Sequence, residues 1–514
     1  MIDHLPVLLI AVPIVGATLP LLVGLAADRT GWPLAALTLL VQAGLATWLG
    51  VAVATGGAVS YEVGGFAAPY GIELVVDGLS VAVVVLVAVV ALGVLAYARR
   101  AGPHTDTFYS QYLLLVAGLS GMTVTGDVFN LYVFLEITGL AAYGLVATGD
   151  RPSAAVAALK YLLIGTVGAS LYLFGAAYLL TATGTLNMAH LAELLGTEVA
   201  YDSTLVVTAF GLMVGGLAVK IALYPVHTWQ PDAYSRAHDT VSVLISALVS
   251  TVAAYALARV LFSVFTVRFF EAVPAAQTAL TVVAAVSIVA GSVLAVSQSE
   301  VQRMLAYSSV SQFGLVVGGF GVATPAAVIG GVVHLVGHAV MKGGLFGASG
   351  IVRRATGAAR IEEYDGLAAR APVAAAAVAV LALAMVGVPP GVGFVGKWYI
   401  VLGALRAESW GLVAVLLAST VLTLAYFARL VERMYFTPPA GADEAHEPTV
   451  TDGGEASEAS RPSSERASDG GADPVSLGMV ALVVAAAVLA VALGPAVPAF
   501  EGAIEGAIQN LLNP

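Results

Sequence analysis

The sequence has no cysteine and few charged residues. Without cysteine the chain has no disulfide, no thiolate site and no cysteine-held iron–sulfur cluster. Only 10% of its 514 residues are charged and 59% are hydrophobic, whereas soluble domains carry about 25% charged residues. Nearly uncharged runs of about 18 residues or more recur along the whole length. The composition therefore predicts an all-α, polytopic membrane protein.

Lysine is especially scarce. The chain has seventeen arginines and only four lysines, and all four lie in or at the edge of apolar segments: Lys160, Lys220, Lys342 and Lys397. Arginine keeps its proton in proteins, whereas a buried lysine can lose one. The distribution indicates that these four positions need a cation that can release a proton.

We expect about fourteen transmembrane helices. The first begins in MIDHLPVLLIAV, which has Asp3 and no basic stretch, so it is predicted to be a retained helix rather than a cleaved signal. The seventh and twelfth spans are predicted to be interrupted, by Pro225 and by Pro389-Pro390. The spans are roughly 5–25, 32–54, 76–98, 109–125, 128–147, 154–182, 204–223, 238–264, 274–297, 302–320, 324–351, 372–404, 409–436 and 474–496.

Arginine segregates across these spans. Fourteen arginines fall in the loops of one side, and three fall on the other, namely Arg259, Arg268 and Arg406. Cytoplasmic loops carry the excess of basic residues. We therefore expect a multi-pass protein of the plasma membrane with both termini outside.

The spans form two groups of five, four to eight and nine to thirteen. An odd number of spans per group would make the two copies inverted in the membrane. The predicted domains are residues 1–108 with three helices, 109–265 and 274–436 with one five-helix repeat each, 437–473 as an acidic loop, and 474–514 with the last helix and tail. The loop carries nine acidic residues against two arginines, −7 of the net −11. This composition is halophile-like and typical of a disordered, solvated segment, predicted here to face the cytoplasm.

One acid and one base stand out at membrane depth, Glu136 in the fifth span and Lys220 in the seventh. An ion pair between them would let both carry their charges, and separating them would favour a neutral lysine that has released its proton. Two plainer alternatives are a lysine that snorkels to the helix end and a static buried ion pair.

The eleventh span contains His334, His338 and Lys342 at i, i+4 and i+8, so the three side chains share one helical face. A row of two histidines and a lysine favours proton relay. Structural histidines are the alternative. Zinc binding is disfavoured, because the motif has no cysteine, adjacent glutamate or evident third ligand.

Two further lysines border interrupted or terminal segments. Lys160 begins the sixth span and either approaches Lys220 or marks the span boundary. Lys397 follows the helix break in VGVPPGVGFVGKWYI. The glycines and prolines of that break leave backbone groups that can hold water beside the lysine.

Several segments together resemble a known family, the antiporter-like proton-conducting membrane subunits. They are FNLYVFLEITGLAAYGL, LKYLLIGTVGASLYLFG, VKIALYPVHTWQPDAY, VQRMLAYSSVSQFG, HLVGHAVMKGGLF and VGVPPGVGFVGKWYI, spread over residues 76–436. The family includes the D subunit of Mrp-type sodium/proton antiporters, the large antiporter-like subunits of complex I and counterparts in membrane-bound hydrogenases. The resemblance implies fourteen helices with inverted five-helix repeats, a hydrated axis of Glu and Lys residues, and a multi-subunit complex.

The resemblance also implies roles for individual residues. Glu136, Lys220 and Lys397 would carry proton translocation. The relay would add the following residues: Lys160, His227, His238, Asp239, Thr251, His334, His338 and Lys342. Two segments depart from the family. The eighth span, SVLISALVSTVAAYALAR, has Thr251 where relatives often have a titratable residue, and AHDTVS places His238 and Asp239 where relatives often have a proline-rich run.

These observations favour a proton-translocating subunit of a cation/proton antiporter similar to the Mrp D subunit. The alternatives are a proton-pumping subunit of a complex I-like (NADH/quinone) or hydrogenase complex, and a non-conducting structural subunit. No nucleotide, flavin or metal motif is present, so we expect no cofactor, no metal and no redox chemistry in this chain itself. The expected partners are other membrane subunits, protons, Na⁺ and the lipid bilayer, and no nucleic acid.

Overall fold

The computed structural model describes residues 2–149, 151–438 and 475–512. The first half contains α1 (Leu5–Gly24), α2 (Gly31–Gly56), α3 (Gly78–Ala101), α4 (Asp106–Val124), α5 (Val128–Ala147), α6 (Pro152–Thr183), α7 (Met188–Leu194), α8 (Thr204–Ile221), α9 (Gln230–Arg236) and α10 (Asp239–Arg259). The second half contains α11 (Thr266–Ala272), α12 (Pro274–Val296), α13 (Val301–Val322), α14 (Pro325–Thr356), α15 (Leu367–Arg370), α16 (Pro372–Val386), α17 (Val392–Arg406), α18 (Trp410–Phe436) and α19 (Leu477–Leu512).

The molecule is a polytopic helical membrane protein, as predicted. Within the described residues, twelve helices are long and apolar enough to cross a bilayer. The other two predicted spans correspond to α4, which has 19 residues, and to the pair α16 and α17, which have 15 residues each. The count of fourteen stays a prediction. The acidic loop predicted at 437–473 lies outside the described residues, except for positions 437 and 438.

A small hairpin between α2 and α3 was not predicted. Strand β1 (Val59–Glu62) pairs antiparallel with β2 (Glu73–Val76), with Val59 opposite Val76. Each strand has only four residues, too short a run for alternation of apolar and polar residues to stand out from the neighbouring apolar spans.

The two interrupted spans break earlier than the prolines predict. Helix α8 ends at Ile221, and Ala222 adopts a left-handed conformation with φ 66°, so the helix has stopped before Pro225. Helix α16 ends at Val386, and Gly387 has φ 100°. A left-handed residue after the last helical one is a common helix stop, and glycine adopts it without strain.

Helix α10 occupies the centre of the bundle. Every residue from 240 to 258 is buried, and the helix packs against α3, α8 and α14. The sequence predicted one span from 238 to 264. Instead α10 ends at Arg259 and is followed by a π-helical stretch, Val260–Phe265, and by α11.

Most arginines meet at one end of the bundle. There Arg303, Arg353 and Arg433 pair with Asp232, Asp239 and Asp365 respectively. We call this the arginine-rich end. Helices α3, α9, α14 and α18 finish there, and α6, α10 and α13 begin there.

Candidate functional site

Glu136 and Lys220 form a buried ion pair. The Nζ atom of Lys220, one residue before the end of α8, lies 3.2 Å from Oε1 of Glu136 on α5. It also lies 3.1 Å from the hydroxyl oxygen of Tyr143, two turns further along α5. The Lys220 side chain is 6% exposed and that of Glu136 is 21% exposed. The lysine is therefore paired inside the bundle, and the snorkelling alternative does not describe it.

A glycine makes room for this pair. Gly139 lies on α5 between Glu136 and Tyr143, and a Cβ atom added there would lie 3.1 Å from the Lys220 nitrogen. That distance is tighter than an ordinary van der Waals contact, so a side chain at position 139 would push the lysine from its partners. The FLEITG segment therefore positions the lysine in two ways. Glu136 attracts the ammonium group, and the absence of a side chain at Gly139 leaves room for it.

Hydrogen bonds through hydroxyl and amide groups connect Lys220 with the central helix α10. The Ser250 hydroxyl on α10 donates to the main-chain oxygen of Lys220 at 3.3 Å. The side-chain amide of Gln230 donates to the hydroxyls of Ser250 and Tyr234, at 3.3 and 3.2 Å. These groups are fully buried. They can orient water or pass a proton, but none of them holds a charge at neutral pH.

Thr251 is on α10, beside this network. Its hydroxyl donates to the main-chain oxygen of Ala247 at 2.7 Å, so its one donor is used within the helix. Ala247 in turn meets Gly343 of α14, where a Cβ would lie 3.4 Å from it. Helix α10 is therefore the element between Lys220 and Lys342, and the hydrogen bonds described here do not run continuously across it.

The three predicted relay residues of α14 are fully buried. One ring nitrogen of His334 lies 2.8 Å from Oε1 of Gln312 on α13. His338 packs its ring against Phe313, with centroids 4.5 Å apart, and neither of its ring nitrogens has a hydrogen-bond partner among the described residues. The ammonium of Lys342 donates to the main-chain oxygen of Leu305 at 2.7 Å.

Lys397 is held by the break in the twelfth span. Its ammonium donates to the main-chain oxygens of Met385 and Val386, each at 2.9 Å. The last carbonyls of a helix have no partner within the helix and carry partial negative charge, so the end of α16 supplies two acceptors for the cation. At Gly396 an added Cβ would lie 2.7 Å from Cβ of His334. This close approach brings α17 and Lys397 against the α14 row.

Lys160 and His227 lie elsewhere. The Lys160 ammonium pairs with Asp232 of α9 at 2.7 Å, and its side chain is 38% exposed. The described contacts therefore join it to the arginine-rich end rather than to Lys220. His227, between α8 and α9, is buried, and its ring centroid lies 5.3 Å from that of Tyr224 and 5.8 Å from that of Tyr307.

His238 and Asp239 begin the central helix. His238 is the N-cap of α10, and its side chain accepts from the main-chain nitrogen of Thr240 at 3.3 Å. Asp239 accepts from Gln302 at 3.0 Å and from Arg353. Both residues therefore anchor α10 at the arginine-rich end, some distance along the helix from the lysines.

Sequence reasoning missed a cluster at the opposite end of α10. Arg259 pairs with Asp77, donates to Ser80 at 2.7 Å and donates through Nε to Tyr255 at 2.8 Å. Of these residues, Asp77 and Arg259 border a cavity of about 630 Å³. Both charges were visible in the sequence, one near the start of a predicted span and the other near the end of another, but the packing of α3 on α10 that joins them was not.

Two lysine environments result. In the first half a carboxylate faces the lysine, and in the second half main-chain oxygens do. Among the residues that the structure describes, no group of three or more His, Asp or Glu side chains is placed to hold a metal ion. The arrangement suits transfer of protons, since it offers several proton-binding groups in an apolar surrounding.

Known proteins resemble this chain in fold and in sequence. The family model described as "NADH:quinone oxidoreductase/Mrp antiporter, TM" matches residues 125–423. The chain is 43% identical over 450 residues to the NADH-quinone oxidoreductase N subunit of Desulforudis audaxviator, covering 86% of this chain and 89% of that protein. It is 33% identical over 380 residues to the Na⁺/H⁺ antiporter D subunit of Alkalihalophilus pseudofirmus, covering 73% and 76%. The solved structure of a membrane-bound sulfane sulfur reductase, an archaeal respiratory membrane complex, contains a chain that is 31% identical, with a TM-score of 0.86 and coverage of 99% and 98%.

The fold and the sequence are those of an antiporter-like membrane subunit. The chain belongs to the NADH:quinone oxidoreductase/Mrp antiporter family. The resemblance expected from the sequence motifs is thereby confirmed.

Proposed function

We propose that this chain translocates protons within a multi-subunit membrane complex, along an axis that begins at Glu136 and Lys220. The ion pair between these two side chains carries the proposal. A charged residue at membrane depth is costly and is usually retained for function. Here the acid and the base lie 3.2 Å apart, close enough for a small movement of either side chain to change their interaction strongly.

The pair is proposed to work as a switch. While Glu136 is near, its charge stabilises the ammonium form of Lys220, which holds its proton. When Glu136 moves away, burial favours the neutral lysine and the proton leaves. A change of about 1.4 kcal/mol alters the balance between the two forms tenfold, and a close charge pair supplies more than that in a partly buried site.

The released proton is proposed to cross α10 and follow α14. Lys342 lies next to the contact of α14 with α10, His338 and His334 follow at successive turns, and Lys397 lies against His334. Side chains at i and i+4 are about 6 Å apart, so water is needed to complete each step. The unused nitrogens of His338 give such water a place to bind.

The first candidate complex is a cation/proton antiporter, since the chain is 33% identical to an Na⁺/H⁺ antiporter D subunit. The second is a redox-driven proton pump of the complex I type, which the 43% identity to an NADH-quinone oxidoreductase N subunit favours. Either assignment gives the chain other membrane subunits as partners. Purification of the native complex distinguishes them: flavin and iron–sulfur subunits accompany the chain in a redox pump, and small hydrophobic subunits alone accompany it in an antiporter.

The internal repeat is also part of the proposal. Helix α5 packs between α4 and α6, and α13 packs between α12 and α14. Each group then has a broken span, α8–α9 in residues 109–265 and α16–α17 in residues 274–436. These parallels support two inverted copies of one five-helix unit.

We propose that the arginine-rich end faces the cytoplasm in the plasma membrane and that both termini lie outside. The positive-inside rule supports this orientation. Single cysteines introduced into the cysteine-free chain can be labelled from either side of the membrane. Labelling of position 455 from outside contradicts the orientation, and labelling from the cytoplasmic side only agrees with it.

Lys220→Arg tests the proton-carrier role. Arginine keeps the charge and the attraction to Glu136 but does not release a proton, so the complex should assemble yet show background proton flux in reconstituted vesicles. Lys220→Ala should also fail. Lys160→Arg is the matched control, because arginine can keep the pair with Asp232, and it should retain most of the flux. Near-normal flux in Lys220→Arg would leave a static ion pair as the better account.

A further inference from the structure

A chain of buried hydroxyl groups joins the central helix α10 to a cavity at the end of the bundle opposite the arginine-rich end. The Tyr255 hydroxyl on α10 lies 3.1 Å from the Ser80 hydroxyl on α3. Ser80 in turn donates to Oδ1 of Asp77 at 3.1 Å. Tyr255 and Ser80 are 1% and 0% exposed, whereas the Asp77 side chain is 26% exposed. The three groups therefore form one hydrogen-bonded path from the interior to a carboxylate that borders the cavity of about 630 Å³.

The cavity opens to the surface of the molecule. Glu193 and Arg268 belong to its lining and are exposed. Another part of its wall is Phe262 and Ser263, which belong to the π-helical stretch that follows α10. Such π-helical turns occur frequently at functional sites. Asp77 therefore lies between the two buried hydroxyls and a space that water can enter.

The inner end of this path lies at the height of the α14 row. Helix α10 begins and α14 finishes at the arginine-rich end, so the two helices run in opposite directions. They meet where Gly343 lies against Ala247. From Ala247 to Tyr255 is about 12 Å along α10, and the same distance back along α14 from Gly343 reaches the stretch between His338 and His334. Tyr255 therefore lies level with the part of α14 where the row reaches His334.

We infer that Tyr255, Ser80 and Asp77 form an outlet through which protons leave the end of the translocation axis for this cavity. The inference rests on the proposed function, which delivers protons to His334 and Lys397. Water between this end of the row and Tyr255 completes the connection. Tyr255 accepts a proton from that water while its own proton passes to Ser80, and the Ser80 proton passes to the Asp77 carboxylate. Each hydroxyl gains one proton and loses one, and the neutral Asp77 then gives its proton to water in the cavity.

Arg259 orients the two hydroxyls and favours release into the cavity. It pairs with Asp77, and it donates to Tyr255 at 2.8 Å and to Ser80 at 2.7 Å. A hydroxyl oxygen can accept two hydrogen bonds, so Ser80 can accept from Arg259 and from Tyr255 while it donates to Asp77. The Tyr255 proton has a second acceptor, the main-chain oxygen of Thr123 at 2.8 Å, and rotation of the hydroxyl moves it between the two. Because an adjacent guanidinium favours the ionised carboxylate, Asp77 does not retain the proton it receives.

The first test measures proton flux in vesicles that contain the full complex. Tyr255→Phe removes one hydroxyl and keeps the ring. Asp77→Asn keeps a side-chain acceptor at the start of α3 but does not take up a proton. Each change should lower the flux about 100-fold, the contribution of a positioned proton-transfer group. The matched controls are Tyr201→Phe, whose hydroxyl bonds to Thr266 at 3.1 Å outside the chain of hydroxyls, and the exposed Asp202→Asn, and both should keep normal flux.

Blocking the cavity tests the route without changing the hydroxyls. Ala192 lines the cavity, and the chain has no cysteine of its own. A bulky, membrane-impermeant thiol reagent, added on the side that the cavity faces, should abolish flux in Ala192→Cys. The control Ala407→Cys, at an exposed position between α17 and α18 at the same end, should conduct normally after the same treatment. The unmodified complex, treated in the same way, corrects for cysteines of other subunits.

The outcomes separate the outlet from the proposed function. Normal flux in Tyr255→Phe or Asp77→Asn, or in the modified Ala192→Cys complex, would overturn the outlet. Thermal unfolding should be the same for Tyr255→Phe and its control Tyr201→Phe, and the cavity block decides if Asp77→Asn does not assemble. Lys220→Ala is measured in the same vesicles. If Lys220→Ala loses flux and the outlet variants do not, the axis stands without this outlet; if only the outlet variants lose flux, the outlet stands and the proposed start of the axis fails.

Discussion

The two halves of the molecule hold their buried lysines in different ways. In the first half Lys220 faces the carboxylate of Glu136. In the second half Lys342 and Lys397 face main-chain oxygens, and the sequence has no Asp or Glu between residues 301 and 361 or between 366 and 407. A carboxylate on a side chain can move, whereas a main-chain carbonyl is fixed with the backbone. Under the proposed switch, the charge on the first lysine is therefore adjustable, whereas the acceptors of the other two lysines keep their positions.

Under the proposed function, this difference assigns two tasks to the two halves. An ion pair whose distance can change can respond to movement of a neighbouring subunit, and that distance would control whether the lysine holds or releases its proton. A row of groups in fixed surroundings can only pass on what it receives. We therefore expect mutations in the first half to change the coupling of transport and mutations in the second half to change conduction itself.

The largest effect is expected where the second half ends. Lys397→Met removes the last proton-binding group against His334, and a positioned proton-transfer group contributes about 100-fold or more to a rate. Proton flux in vesicles containing the full complex should fall to background. Trp398→Phe, at the exposed neighbouring position, is the control and should keep normal flux. Flux close to normal in Lys397→Met would show that the row ends before α17.

Removing the acid from the first half should have the next largest effect. Glu136→Gln leaves Lys220 buried without a counter-charge, so its protonated form is disfavoured. A hydrogen bond to a charged group contributes about 1.5–3 kcal/mol, which corresponds to a loss of roughly tenfold to 100-fold in flux. The same exchange at the exposed Glu432 should be silent. If Glu136→Gln transports as fast as the unmodified complex, the carboxylate does not control the protonation of Lys220.

Giving the second half an acid sharpens the comparison. Gln312→Glu places a carboxylate where the amide oxygen now lies 2.8 Å from His334. The new charge should hold a proton on the histidine and slow its onward transfer, by about tenfold for each 1.4 kcal/mol of stabilisation. Stopped-flow measurement of proton flux is the readout. Gln298→Glu, near Arg429 at the arginine-rich end, is the control, and an unchanged rate in Gln312→Glu would exclude His334 from the path.

The smallest effect is expected at Tyr143. Tyr143→Phe removes one of the two acceptors of the Lys220 ammonium and keeps Glu136. A neutral hydrogen bond contributes about 1 kcal/mol, so flux should fall roughly twofold to fivefold. Tyr178→Phe, on the exposed face of α6, should have no effect. A loss as large as that of Glu136→Gln would mean that the hydroxyl, rather than the carboxylate, sets the state of the lysine.

The sequence predicted the fold to the extent that the bilayer dictates it. A span needs about 20 apolar residues, so long runs identify helices, but they do not mark where a helix breaks inside the membrane. The breaks fall at Ala222 and Gly387 rather than at the prolines, because left-handed backbone ended each helix first. The hairpin of β1 and β2 was not predicted, because short strands show only a weak alternation of apolar and polar residues.

The part of the candidate site formed by ionisable side chains was predictable, because such residues are rare in apolar segments. Glu136 and Lys220 stood out because ionisable groups are uncommon at depth. The partners of Lys342 and Lys397 did not, since they are main-chain oxygens, and every residue has one. The pair of Asp77 and Arg259 was hidden for another reason: it joins α3 to α10 across the bundle, and one sequence does not reveal which helices are neighbours.

Helix α10 is held by an ion pair at each end. It contributes the acid at one end, where Asp239 pairs with Arg353, and the base at the other, where Arg259 pairs with Asp77. A slide of one helical turn, about 5.4 Å, would break both pairs together and leave four charges unmatched. We therefore expect α10 to stay in place during proton translocation. The motion that proton transfer requires would then come from side chains and water. A crosslink that fastens α10 to α3 or α14 should therefore leave the turnover rate unchanged.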